Sequence, residues 1–222
     1  MMTLMEAMQQ RHSVRAYHDT PLPPKQISAL QQLIDECNRE GDLHIQLITD
    51  EPKAFNSMMA HYGKFSGVHN YIALIGKKGP DFSEKCGYYG EKLVLAAQQM
   101  GLNTCWVAMT YKKVPEAFQI NAGEALSVVI SIGHGKTAGN PHTSKPIDKV
   151  SSATGEMPAW FRSGVEAALL APTAMNQQKF HFALDGNTVA AKAGLGFYSK
   201  IDLGIAKCHF EIGAGDAKFS WK

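Results

Sequence analysis

The chain has 222 residues, 45% of them apolar, which is enough for a sizeable core, and Lys plus Arg exceed Asp plus Glu by only 22 to 20. A formal charge of +2 excludes bulk steering onto nucleic acid or an anionic membrane, so any anion site must be a local cluster. No apolar run approaches the ~20 residues of a membrane span. The opening Met1 to Met8 carries Glu6 and no base, so it does not read as a secretory signal. Four cysteines stand apart at 37, 86, 105 and 208 with no C-x-x-C pair, which argues against a disulfide framework or a thiolate zinc site and for a reducing cytoplasm.

In chain order, Leu4, Met5 and Met8 have helical spacing up to Gln10 and lead into Arg11-His12-Ser13-Val14-Arg15. Pro21 to Pro24 breaks that helix and pre-sets the next, in which Ile27, Leu30, Ile34 and Cys37 form one stripe before Gly41. Leu43, Ile45 and Leu47 alternate as a strand, and a short helix is expected over 54–61. Tyr71 to Ile75 reads as a core strand. Residues 83–100 are the strongest helix, with Gly101 at its C-terminal cap. Strands are expected at Thr104 to Ala108 and Leu126 to Ile132, followed by a Gly-, Pro- and Ser-rich stretch over 133–157. Beyond it come a helix from Pro158 to Leu170, a strand over 179–184, and a turn at Asp185-Gly186 into Thr188 to Ala191. A last helix carries Ile201, Ile205, Cys208 and Ile212, and a closing strand is expected near Trp221.

Helix and strand alternate similarly in the two parts, a weak internal repeat. Three clusters could carry chemistry. Arg11 to Arg15 offers two guanidiniums and a hydroxyl within five residues, a phosphate-binding set or else a solvated charge run. Ala171-Pro172-Thr173-Ala174-Met175-Asn176-Gln177-Gln178 offers uncharged amides suited to a planar heterocycle, or else caps for helix and strand ends. Gly101 to Met109 ends an apolar strand in small residues that would let a flat ring approach, and a core strand explains the same residues. Sharper motifs fail. Gly135-Lys136-Thr137 lacks the phosphate-loop glycine, because Ile130 stands in its place, and Ala138 breaks the dinucleotide fingerprint begun at Gly133. There is no H-E-x-x-H and no G-x-S-x-G, so metalloenzyme and hydrolase readings lack their equipment and no metal site is expected.

Taken jointly, these pieces resemble the FMN-dependent nitroreductase family. R-x-S-x-R is matched by Arg11, Ser13 and Arg15, and A-P-S-x-x-N-x-Q by Ala171, Pro172, Thr173, Asn176 and Gln178. G-x-x-T-C-W is matched by Gly101, Thr104, Cys105 and Trp106, and the strand ending in Ile-Gly with a later basic-Pro-aliphatic by Ile132-Gly133 and Lys145-Pro146-Ile147. The second motif stands late in the chain here, and Lys179-Phe180 replaces the family's P-W.

The resemblance implies an α+β fold with an antiparallel-type central sheet flanked by helices, internally duplicated as a pseudo-dimer. It resembles a subgroup in which two half-repeats are fused. The first half would occupy 1–140, a connecting loop 141–157 and a shorter second half 158–222. A monomer would then carry one complete FMN site, with a homodimer as the other arrangement. Arg11 and Ser13, with His12 between them in the cofactor site and Lys145 and Lys136 as helpers, would hold the phosphate, and Arg15 would lie at the N1–O2 edge, where a cation stabilises reduced flavin. Trp106, Val107 and Ala108, with Pro172, Thr173, Ala174 and Asn176, would line the ring and ribityl. No side chain need be catalytic: hydride would pass from NAD(P)H to flavin N5 and on to a nitroaromatic, quinone or similar small acceptor by a ping-pong scheme. The rivals are a flavin-binding or redox-sensing module without efficient turnover, and an α+β interaction protein that binds no flavin.

Overall fold

The computed structural model describes residues 2–222. In chain order its elements are α1 (Leu4–Gln10), α2 (Pro24–Gly41), β1 (Gln46–Ile48), α3 (Met58–Tyr62), β2 (Asn70–Lys77), α4 (Phe82–Gln99), β3 (Asn103–Val107) and β4 (Glu124–Gly133). They continue with β5 (Ser151–Ala153), α5 (Ala159–Ala168), β6 (Phe180–Asp185), β7 (Thr188–Ala193), α6 (Ser199–Ala214) and β8 (Ser220–Trp221). Two compact units divide the chain. The first comprises Gln10–Phe82 and Leu93–Pro141; the second comprises Met2–Gln9, Ser83–Lys92 and His142–Lys222. No helix among the described residues is long and apolar enough to cross a membrane.

In the first unit a four-stranded sheet runs in the order β1-β2-β4-β3, antiparallel throughout. Residues Tyr71 to Ile75 of β2 are fully buried, which explains their unbroken apolar run. Phe55, Phe65, Tyr71 and Tyr111 cluster against Val107 and Val129. Helix α2 starts on a proline and buries Leu30, Ile34 and Cys37. It ends one residue later than the sequence suggests, because Asp42 and not Gly41 takes the left-handed position. The expected strand at Leu43 to Leu47 is displaced to Gln46–Ile48 for a specific reason. The Asn38 side chain accepts from the Ile45 N–H (2.6 Å) and donates to the Ile45 carbonyl (3.0 Å), taking the place of a strand partner. Leu43 keeps a single bridge to Gly76.

The second unit has its own sheet, β5-β6-β7-β8, in which β6 and β7 are antiparallel while β5 and β8 join in parallel. The two sheets therefore share strand number but not pairing. Helices α5 and α6 pack closely at Gly164, where a Cβ would meet the Phe210 ring at 2.8 Å. The first half of α4 crosses α6 still more closely. A Cβ on Gly87 would overlap the Ile201 carbonyl, and one on Gly204 the Glu84 carbonyl, so only glycine fits at this crossing. Phe161, Phe182, Phe210 and Trp221 fill the core between α5, α6 and the sheet. Within it Glu91 and His209 are both 0% exposed and bonded at 2.9 Å, and His209 Nδ1 lies 3.1 Å from the Ala167 carbonyl. Near the α4–α6 crossing Tyr88 donates to Glu211, which also accepts from the Trp221 indole N–H, and Lys207 pairs with Glu84 at 2.7 Å.

Candidate functional site

In the first unit the arginine segment is an extended strap. Val14 donates its N–H to Thr104 on β3, Tyr17 to Ser66, and His18 to His134, so residues 13–18 are bound on three sides by backbone hydrogen bonds. Tyr17 locks the strap from below: its hydroxyl donates to the Val14 carbonyl (2.7 Å) and lies 2.9 Å from Ser131 Oγ. Burial pushes that phenol far above its ordinary range, so it stays protonated. Gly67, at φ 67°, is a residue only glycine can supply, because a Cβ there would overlap the Tyr17 carbonyl. Gly139 approaches from the other side, where a Cβ would meet His12 Cβ at 2.7 Å.

This strap brings together the sequence-expected Arg11, Ser13 and Arg15. Burial raises the Cys105 thiol on β3, while the charge of Arg15, a hydrogen bond with Ser13 and the charge of Arg11 pull it back. Arg11 is 4% exposed and His12 and Ser13 are half-buried. Arg15 is exposed, with its guanidinium 5.9 Å over the Phe65 ring. No acidic residue occurs between Gln9 and His18. On β3 the alternation sends Cys105 and Val107 into the core and leaves Trp106 half-buried on the other face, with Ala108 half-buried and Met109 exposed beyond the strand. Lys136 is exposed, its backbone N–H bound to Ala16.

The second expected cluster lies in the second unit. Pro172, Thr173 and Ala174 are half-buried and Asn176 is exposed. Much of its amide chemistry is used internally. Gln178, 2% exposed, is the hub: its Nε2 donates to the Thr143 carbonyl and to Asn176 Oδ1 (both 2.9 Å), and its Oε1 accepts from Lys145 N–H (2.8 Å). Thr173 Oγ1 accepts the Gln178 N–H, and Asn176 Nδ2 donates to the Thr143 carbonyl. The Lys145 ammonium, expected as a phosphate helper, rests on the Gln177 and Gln178 carbonyls at 2.8 and 3.2 Å. The backbone turns through three left-handed residues that are not glycine: Met175 (φ 51°), Asn176 (φ 53°) and Gln178 (φ 43°). Asp202, which sequence reasoning did not single out, accepts from Ala174 N–H and Gln177 Nε2. Its one visible signal is an acid inside the apolar run Ile201 to Ala206.

A mixed α+β fold with an antiparallel sheet flanked by helices is also that of solved nitroreductases. A "putative nitroreductase" from Thermotoga maritima superimposes with a TM-score of 0.65 at 23% identity, over 94% of this chain and 82% of that one. Another, from Desulfovibrio desulfuricans and solved in complex with FMN, gives 0.52 at 18% identity over 70% of this chain and 96% of that one. A nitroreductase family protein from Streptococcus pneumoniae gives 0.52 at 13% identity over 67% and 98%. None of the curated proteins compared with the chain matches it. The family model described as "Putative TM nitroreductase" matches residues 3–214, and the chain belongs to this family of oxidoreductases.

Proposed function

We propose that the protein is an FMN-dependent oxidoreductase that draws on NAD(P)H and reduces a small acceptor such as a nitroaromatic or a quinone. The observation that carries this reading is the strap: Arg11, Ser13 and Arg15 lie on one segment bound to β3 through the Val14 N–H and the Thr104 carbonyl, within an acid-free stretch. That cationic, donor-rich set fits the phosphate end of FMN, whose oxygens accept bidentate, charge-assisted hydrogen bonds. Bound FMN would supply the two-electron chemistry, accepting hydride from one partner and delivering it to another.

The chain's own residues bind and orient. Arg11, His12 and Ser13 would hold the phosphate, and the exposed Arg15 would stabilise negative charge on the reduced ring. Trp106, Val107 and Ala108 would offer an edge of strand and small side chains to a flat ring. By the family resemblance Lys145, Pro172, Thr173, Ala174 and Asn176 are further candidate flavin contacts.

FMN titration followed by quenching of flavin fluorescence tests the assignment. Arg11→Ala should weaken binding by about ten- to a hundredfold, the equivalent of one lost charge-assisted hydrogen-bond set. Arg11→Lys should not restore it, because an ammonium lacks the fork geometry. Wild-type affinity in the Ala variant would overturn the assignment of the strap. Oxidation of NADH or NADPH by the flavin-loaded chain separates an enzyme from a flavin carrier.

A further inference from the structure

Asp202 is an acid in the first turn of α6, 3% exposed, and neither the fold nor the proposed chemistry calls for a charge there. Its oxygens point out of the helix to the turn over 173–178. Oδ1 accepts the Ala174 N–H at 3.0 Å, and Oδ2 accepts Gln177 Nε2 at 2.7 Å. The second hydrogen of that Gln177 amide goes to the Phe197 carbonyl at 2.7 Å, so the amide cannot flip without setting oxygen against oxygen. The same turn holds Met175, Asn176 and Gln178 at positive φ. Left-handed backbone is costly for side chains of this kind and persists only where its surroundings impose it. Gln178 imposes it from one side through Thr143, Lys145 and Asn176; Asp202 imposes it from the other.

We propose that Asp202 is a positioning residue for the proposed flavin contacts: its carboxylate holds the Thr173–Gln178 turn in its left-handed form. The positioning rests on the flavin reading; the turn and its tether do not. A carboxylate accepts from both donors, whereas an amide in its place would set an N–H against one of the two N–H groups, so one bond would be lost. Burial pushes this carboxyl up to about 6 against the lowering effect of its bonds from Gln177 and Ala174, so the carboxylate form is read at pH 8. The charged groups on the surrounding elements are engaged elsewhere. Lys145 sits on the Gln177 and Gln178 carbonyls, and Glu84 of α4 pairs with Lys207 of α6. Lys179 and Lys200 are exposed.

Hydrogen exchange of the full chain without added FMN, read on peptides spanning 171–180 and corrected for intrinsic rates, tests the tether. At about pH 8 Asp202→Asn should lose roughly tenfold or more of the turn's protection, the equivalent of one hydrogen bond to a charged group, because its amide presents a donor to a donor. Gln177→Met, which removes the tether while leaving Asp202 in place, serves if Asp202→Asn does not fold, and should lose the same protection. Wild-type protection in either variant overturns the proposal. FMN titration of the same proteins at that pH should show Asp202→Asn binding about tenfold more weakly than wild type. A turn that responds as expected in a chain that binds no FMN would confirm the tether and overturn the flavin reading instead.

Discussion

Replacing Glu91 by Leu should be among the most damaging single changes in the second unit. Glu91 and His209 are both 0% exposed and bonded at 2.9 Å. The Ala167 carbonyl can only accept, so His209 Nδ1 must carry a hydrogen. The Nε2–Oε1 bond is then made by one shared proton, and the pair is neutral as a whole. Leucine removes the acid and leaves a buried imidazole nitrogen with nothing to bond. Breaking a buried pair on one side costs about 3–5 kcal/mol, which for a chain of this length lowers Tm by roughly 10 °C. Glu91→Gln keeps the carboxamide in reach, donating to a neutral Nε2, and should cost only about 1 kcal/mol. The double change Glu91→Leu with His209→Phe should recover part of the loss, because the imidazole nitrogen is then no longer orphaned. Urea unfolding monitored by far-ultraviolet circular dichroism gives all three values. A Leu variant within about 1 kcal/mol of wild type, or a double variant no better than the single, would refute the shared-proton account.

Two further outcomes follow from the packing. The Asp202 carboxyl is raised from 3.8 to about 6, so between those values the native state binds more protons than the unfolded chain. Its contribution to stability is therefore greatest below pH 4 and is lost as pH rises through about 6, by at most roughly 3 kcal/mol; the difference between wild type and Asp202→Asn in urea melts across that window should show this slope, and its absence or reversal would contradict it. Gly204→Ala places a methyl group on the Glu84 carbonyl at the α4–α6 crossing. It should cost about 3 kcal/mol or more by thermal unfolding, against less than about 1 kcal/mol for Gly79→Ala, where a Cβ would make only ordinary contact with Asp81 Oδ1 at 3.4 Å.

The parts of this molecule readable from sequence are those in which local pattern and burial agree. Tyr71 to Ile75 is apolar because both faces are covered, and the α4 stripe through Leu93, Val94 and Ala97 ends at Gly101, which adopts φ 75°. Strand β5 was not legible: Ser151, Ser152 and Ala153 have no β signature, and their strand exists only because β6 lies alongside. Ile45 fell out of its expected strand through a side chain seven residues upstream, a contact no periodicity reveals. In the candidate site, Arg11, Ser13 and Arg15 were visible because charge and spacing lie in one short segment. Asp202 was not, since what places it beside the turn is tertiary. Gln178 was visible as a polar residue but not as a hub, because its partners Thr143 and Lys145 are far from it in sequence.

The division of the chain bears on how it can be made. Residues 2–9 and 83–92 belong to the same unit as 142–222, so two stretches made earlier wait for a later one. Until α6 leaves the ribosome, Gly87 and Glu91 have no helix to close against, although all four strands of the first sheet are already present. Vectorial synthesis can complete the first unit once Pro141 has emerged, but the second waits for residues 142–222, with three separate stretches of chain to be gathered at once. A product arrested after Pro141 would leave Gly87 and Glu91 without the α6 surface that buries them.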